Sequence, residues 1–366
     1  MYCQTLAWKN FRNLGSGRIQ LPPAMLLLAG NNGAGKTNLL EIFHFLGGWG
    51  PLPGRKVCDA PSWGQTERAF LSARFQGEED VECAASLGRT TVLALGKTRC
   101  RAPDLRVRVP SLLFLPDDLH LVEGSPSVRR RFVDRLAALL FPLYAQRLHE
   151  YGRALRHRAI LLRQGRSPSV TGRVLAPLGG WIWSFRAHTV ALLVRHLALL
   201  RNLLPGSLSL VLHRGSAGAG DDPLEAFLDG LKISEEEERR TGFPVVGPHR
   251  DDLLLDVDGV PAARKLSRGQ RRRLAVALVV AAGYAVREHL RRTPVLLLDE
   301  VAAELDFQGR ALLFDTLRST SWQVVATTAE KHFDDWPGEI VRVSGGKLWR
   351  NSEEQNAPGE EGAEER

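Results

Sequence analysis

The first 120 residues alternate between two periods. LAWKNF (6–11) switches between apolar and polar positions, NLGSG (13–17) breaks the chain, and IQL follows, which predicts two short strands around a turn. MLLLAG (25–30) is an unbroken apolar run ending in glycine, the pattern of a strand buried on both faces. TNLLEIFHFLGGWG (37–50) has helical spacing and stops at Gly47-Gly48. Alternation returns over 68–95 with a turn at QGEED, and LLFLPDDL (112–119) is a further strand that ends at Pro116.

From Arg129 to Arg201 the spacing is helical, with breaks at QGRSPS and APLGG, so at least two helices are expected. SLSLVLHRG (207–215) predicts a strand and EAFLDGLKISEEEERR (225–240) an acidic helical stretch. VVGPHRDDLLLDVDG (245–259) predicts a strand pair around a turn. PVLLLDE (294–300) and WQVVATTAE (322–330) are apolar strands, and no internal repeat is visible. The last 16 residues, NSEEQNAPGEEGAEER, lack apolar anchors and are expected to be disordered.

Composition narrows the class. With 366 residues and 44% apolar content the chain can bury a sizeable core in two or three domains, or in one split domain. Its four cysteines, Cys3, Cys58, Cys83 and Cys100, show no CxxC spacing, as expected of reduced cytosolic thiols. The N-terminus lacks the layout of a signal peptide, and the most apolar stretch, Leu274 to Val286, is shorter than the ~20 residues a bilayer requires. A cytoplasmic protein with no membrane partner is expected. The net charge of +8 is unevenly placed. Residues 129–201 hold fourteen arginines against two acids, Asp134 and Glu150, so this segment alone carries +12 and leaves −4 for the remainder. That local excess points to an electrostatic surface for nucleic acid or another polyanion, with Arg129, Arg130, Arg131, Arg153, Arg156, Arg158 and Arg163 as the candidate residues. The alternative is that many of these arginines pack on neighbouring acids such as the glutamates at 235–238. No base-reading element is evident, so binding through backbone and shape is expected.

Three motifs carry chemistry. GNNGAGKT (30–37) fits G-x-x-x-x-G-K-T between an apolar strand and an amphipathic helix. Gly30, Asn31, Asn32, Gly33, Ala34 and Gly35 form a loop whose backbone N–H groups turn toward phosphate oxygens, with Asn38 on the helix behind it. Lys36 reaches the β- and γ-phosphates, and the Thr37 hydroxyl ligates Mg²⁺. VLLLDE (295–300) ends a strand in two acids, Asp299 to hold the metal and Glu300 to orient or deprotonate a water. In LSRGQ (266–270), Ser267, Arg268, Gly269 and Gln270 open a helix that can bind a γ-phosphate. The arginines at 271–273 point about 100° apart, so they cannot all aim at one ligand.

The order of phosphate loop, LSRGQ, acidic strand and AELD resembles the ATP-binding-cassette (ABC) superfamily. The resemblance implies an α/β chain: an ABC-type P-loop ATPase head with a mixed β-sheet lobe and a second helical lobe. It implies ATP and Mg²⁺ as cofactors and a signature loop acting in trans across a homodimer formed on ATP binding. Glu304 and Asp306 correspond to the loop linking the two sites. The family's switch histidine is missing, with Thr327 and Thr328 in its place, and Pro116-Asp117-Asp118 stands where a glutamine loop is usual. LAWKNFRNL, FLPDDLHLVEGSPSVRRRFVD (114–134) and GPHRDDL (247–253) further resemble the RecF family, over residues 6 to about 330. That implies a weak, DNA-stimulated ATPase working with RecR, and indirectly with RecO and RecA, at gaps and single-strand/double-strand junctions. Arg12 and Asn13 sit in a turn that can approach the nucleotide; Arg12 reads equally well as a strand-edge arginine.

The gap between Thr37 and Leu266 is too short for a long coiled-coil arm, since about 20 helical residues span only about 30 Å. The expected organisation is an ATPase part over 1–125, an arginine-rich insert over 126–245, a C-terminal ATPase part over 246–350 and the tail over 351–366. The alternatives are the ATP-driving subunit of a transporter, another short-armed DNA-maintenance ATPase related to the SMC proteins, and a regulatory module with little turnover.

Overall fold

A computed structural model describes residues 1–350 except 66, 216, 217, 219, 301–304, 306, 331, 332 and 334. The first part runs β1 (Tyr2–Lys9), β2 (Gly17–Gln20), β3 (Met25–Ala29), α1 (Lys36–Leu46), β4 (Ala69–Gln76), β5 (Val81–Leu87), β6 (Thr91–Leu95), β7 (Thr98–Cys100), α2 (Ala102–Arg108) and β8 (Ser111–Phe114). Helices follow: α3 (His120–Glu123), α4 (Pro126–Leu140), α5 (Tyr144–Arg163) and α6 (Ser169–Leu197). Then come β9 (Leu208–His213), α7 (Pro223–Ile233), α8 (Glu235–Thr241), β10 (Asp252–Val257), β11 (Val260–Pro261), α9 (Ala262–Lys265) and α10 (Arg268–Leu290). The chain closes with β12 (Val295–Leu298), α11 (Phe307–Thr320), β13 (Val324–Thr328), β14 (Glu339–Ser344) and β15 (Lys347–Arg350). No helix among the described residues is long and apolar enough to cross a membrane.

The chain divides into two compact units: Met1–Pro116 with Arg292–Arg366, and Asp117–Arg291. The signature segment 266–270 therefore belongs with the helical unit, whereas the sequence pattern groups it with the C-terminal ATPase part.

The first unit holds two six-stranded sheets. One is antiparallel, ordered β2-β1-β4-β5-β6-β7. β4 shows why it is two-sided: Ala69, Leu71, Ala73 and Phe75 are buried, and the alternate residues are exposed. The other sheet is ordered β15-β14-β3-β13-β12-β8, parallel except for the β14–β15 hairpin. β3, β12 and β13 are buried along their whole length, as unbroken apolar runs require. The core between the sheets joins α1 to both; Phe11 and Phe45 meet edge-on with centroids 6.0 Å apart.

The second unit is helical around a small antiparallel sheet, β11-β10-β9. Its longest helix, α6, has 29 residues, roughly 44 Å at the usual rise, so the described chain has no long coiled-coil arm. The stretch 245–259, read as a strand pair, has a 3-10 turn at Pro248–Arg250 before β10, because Pro248 and the left-handed Gly247 (φ 128°) interrupt it.

Asp134 of α4 and Asp251 before β10 are joined in a buried ionic lattice by Arg186 of α6. Arg186 pairs with Asp134 at 2.9 Å and with Asp251 at 2.6 Å. Asp251 also accepts from the Trp183 indole and the Gly215 amide, both at 2.8 Å, and Asp134 accepts from the Tyr144 hydroxyl at 2.6 Å. Burial pushes the Asp251 carboxyl up, and Arg186 works against that shift. Burial holds His249 down at about 4, so its ring is neutral; Nε2–H faces the Pro244 carbonyl and Nδ1 accepts from Tyr151. Asp251→Ala leaves Arg186 short of a partner in the core. Removing one member of a buried pair costs about 3–5 kcal/mol, so a urea titration is expected to show the helical unit less stable by about that much. A loss below about 1 kcal/mol, the range of an exposed pair, would mean that the lattice does not hold this unit together.

Candidate nucleotide site

β13 lies between β3 and β12, so the three strands end side by side. The phosphate loop follows β3, the acid pair follows β12, and Thr327-Thr328 close β13. Ligand sites in such sheets form at the carboxyl ends of the strands.

The glycine loop is held open by backbone geometry. Gly33 and Gly35 take positive φ, 79° and 112°, and a Cβ on Gly35 would meet Leu14 Cδ2 at 2.6 Å. The Gly30 amide donates to Thr328 O at 3.2 Å and the Ala34 amide to Asn31 O at 3.2 Å. α1 starts at Lys36 without a side-chain cap, leaving its first N–H groups to face the loop. Asn13 braces the loop by donating to Gly33 O at 2.8 Å, and Asn38 donates to Asn13 at 2.7 Å.

Charges converge beside this loop. The Lys36 ammonium donates to Gly30 O at 2.7 Å and to Asn31 O at 3.1 Å, and lies 3.5 Å from a Glu300 oxygen. The Thr37 hydroxyl is 3.1 and 3.0 Å from the two Asp299 oxygens. Glu300 has φ 50°, and its other oxygen accepts from the Ala329 amide at 3.0 Å. One hydroxyl and one carboxylate at hydrogen-bond distance are hard oxygen donors that suit Mg²⁺ bound together with phosphates.

Other residues singled out in the sequence lie elsewhere or do different work. Arg12 donates from Nε and NH2 to Glu41, at 3.0 and 2.7 Å, and from NH1 to Asp59 O at 2.7 Å. Glu41 is fully buried and takes Arg55 as well, at 2.5 Å. The Arg12 guanidinium is thus committed to a buried ion pair on the loop's supporting helix rather than aimed at the phosphate loop. Sequence reasoning missed Glu41; an acid between Leu40 and Ile42 on an apolar helix was the available signal.

Ser267 caps α10: its oxygen accepts from the Gln270 amide at 3.3 Å, and the Gln270 side chain accepts from the Ser267 amide at 3.0 Å. Of the arginines that follow, Arg272 is buried, and Arg271 pairs with Glu123 and donates to Ala263 O. The linking-loop residues Glu304 and Asp306 lie outside the described residues, as does the 351–366 tail.

The arginine-rich surface needs correcting at two positions. Arg158 is buried, with its guanidinium on Glu238 at 2.5 and 2.9 Å and on Pro168 O, so it does not face DNA. Arg129 is spent on Asp252, at 2.7 and 3.0 Å, and on Gly124 O. Arg130 is half-buried and donates to Asp251 O at 2.6 Å. Arg131, Arg153, Arg156 and Arg163 are exposed. On α5, Arg153, Arg156 and Arg163 share one face at helical spacing with His149 and His157.

A buried parallel sheet with this loop and acid pair, together with a helical unit whose α10 opens on a capped Ser-Arg-Gly-Gln, defines an ABC-type ATPase head. No family model matches the chain. It is 31% identical to the DNA replication and repair protein RecF of Heliobacterium modesticaldum, covering 96% of this chain and all of that protein. It is 34% identical to RecF of Frankia alni, again over 96% of this chain and all of that protein. The chain belongs to the RecF family of DNA replication and repair proteins. Its fold is similar to a solved structure of the recombination mediator RecF-ATPrS, with a TM-score of 0.85 at 22% identity over 96% of this chain and 98% of that one. An SMC head aligns with a TM-score of 0.55 at 15% identity, covering 98% of this chain and all of that one.

Lys36→Ala removes the cation at the loop. Titration with a fluorescent ATP analogue is expected to show roughly 100-fold weaker binding, about 2.7 kcal/mol. Unchanged affinity would remove Lys36 from the site.

Proposed function

We propose that the chain is an ATP-dependent, DNA-binding recombination mediator in which two copies close on bound ATP. The observation that carries this reading is the meeting of Lys36, Thr37, Asp299 and Glu300 at one point of the first unit. The exposed Ser267 opens a helix of the other unit. In this reading Lys36 neutralises the β- and γ-phosphates. Thr37 and Asp299 would hold Mg²⁺, which when bound offsets charge on the phosphate oxygens. Glu300 orients the attacking water and takes its proton. The Ser267 oxygen accepts the cap bond, so its hydroxyl hydrogen is left to donate to a γ-phosphate of the second copy. A site completed in trans makes the monomer slow, and hydrolysis then times release.

DNA is proposed to lie against the exposed face of α5, through Arg153, Arg156 and Arg163, with Arg131 of α4 in the same role. These arginines meet phosphates, so recognition rests on backbone and shape, as at gaps and single-strand/double-strand junctions. Stimulation of hydrolysis by DNA, and action with RecR and indirectly with RecO to load RecA, belong to the same proposal. Membership in a DNA-repair family leaves the transporter reading without support.

The test is DNA binding as a function of salt, with and without ATP, on single-stranded, double-stranded and gapped DNA. Affinity is expected to fall steeply with salt. The Arg153→Ala, Arg156→Ala double variant is expected to flatten the log–log slope by about 1 for each phosphate it no longer neutralises. A wild-type response that is flat to both salt and ATP would contradict the reading.

A further inference from the structure

We propose that Thr327 is the positioning residue of the acid pair: a single buried hydroxyl that fixes both the metal-holding Asp299 and the water-orienting Glu300. This rests on the nucleotide reading above.

Thr327 is 1% exposed, at the end of β13. A hydroxyl has one hydrogen to give and lone pairs to receive with, and both capacities are used on the acids. It donates to Asp299 Oδ1 at 2.6 Å and accepts from the Glu300 amide at 3.1 Å. The two acids are adjacent in sequence, so the hydroxyl closes a small ring across the peptide bond that joins them. The Asp299 amide is already spent on Phe114 O at 2.9 Å, on the β8 side. The backbone of Asp299 is thus held from one neighbouring strand and its carboxylate from the other.

Two hydroxyls share that carboxylate. Thr37 belongs to the phosphate-loop helix and is itself a candidate metal ligand. Thr327 has no such second duty, so its bond to Oδ1 is the one that would keep the carboxylate aimed if Thr37 turned to a bound metal ion. Orientation of a ligating carboxylate by an outer hydrogen-bond partner is a general requirement of metal sites.

Glu300 depends on the same strand end. It takes φ 50°, a left-handed conformation that is uncommon and mildly costly for a residue with a side chain. Two bonds from the end of β13 hold it there: Glu300 N–H to Thr327, and Ala329 N–H to Glu300 Oε2. Thr328 makes the contrast. Successive strand residues point to opposite faces, and the Thr328 hydroxyl accepts from the Glu330 amide at 3.1 Å instead. Thr327 is one of the two threonines that stand where the ABC pattern places its switch histidine, and it works as a neutral hydrogen-bond hub rather than as a titrating group.

The experiment compares Thr327→Val and Thr327→Ser in the full chain, with Thr327→Ala as a second hydroxyl-free variant should Thr327→Val fold poorly. Three quantities are read: the Mg²⁺ concentration that half-saturates binding of a fluorescent ATP analogue, kcat and KM for hydrolysis, and thermal stability. Losing the hydroxyl is expected to raise the Mg²⁺ requirement and lower kcat by about tenfold or more each, with KM at saturating Mg²⁺ little changed. Thr327→Ser is expected to restore most of both. A folded Thr327→Val or Thr327→Ala chain with wild-type Mg²⁺ requirement and kcat overturns the inference, as does a serine variant as impaired as the valine. A wild-type chain whose nucleotide binding ignores Mg²⁺ overturns the nucleotide reading itself, and this inference with it.

Discussion

Thr37 and Asp299 are 262 positions apart in the chain, and their side-chain oxygens are 3.0 Å apart. The rest of the site depends on that contact. It exists because β3 and β12 flank β13 in one parallel sheet, so the loop after β3 and the acids after β12 open on the same edge. Once those two groups meet, Lys36 and Glu300 follow within 3.5 Å of each other, since each is the immediate neighbour of one member of the pair. The strand between them supplies the backbone and hydroxyl groups that hold both sides, through Thr328 O to Gly30 and Thr327 to the acids.

The second unit uses charge in two opposed ways. Arg129, Arg158 and Arg186 are turned inward and neutralised by Asp252, Glu238, Asp134 and Asp251. Arg153, Arg156 and Arg163 are turned outward along one helix face. Inward arginines give the helical unit a specified core, because a buried ion must be matched in place by its partner. Outward arginines leave positive charge on its surface. The excess of +12 read from the segment counts both sets together, and only the outward set contributes to a field at the surface.

The strands that carry the site were legible because they are short apolar runs punctuated by glycine, proline or acid, as in MLLLAG and PVLLLDE. That Lys36 and Thr37 form one polar group and Asp299 and Glu300 another was legible for the same reason: spacing within a motif is local information. Partner choice is not local. Nothing in the neighbourhood of Arg158 names Glu238 as its counter-ion 80 positions away. Nor does the turn containing Arg12 reveal that a fully buried Glu41 claims it. Thr327 was visible only as one of two threonines standing in place of an expected histidine. Its role emerges from the strand order, which places β13 against both partners. The signature segment was recognisable as a helix start, and the structure adds that Ser267 and Gln270 cap each other.

The central claim is that ATP joins the phosphate loop of one copy to the signature serine of another. Mixing a Lys36→Ala chain with a Ser267→Arg chain tests it directly, because a mixed pair has one composite site with both parts intact. Light scattering with ATP is expected to show that neither variant dimerises alone and that the mixture does. A mixture that stays monomeric, or a Ser267→Arg chain that dimerises with ATP by itself, would contradict the account.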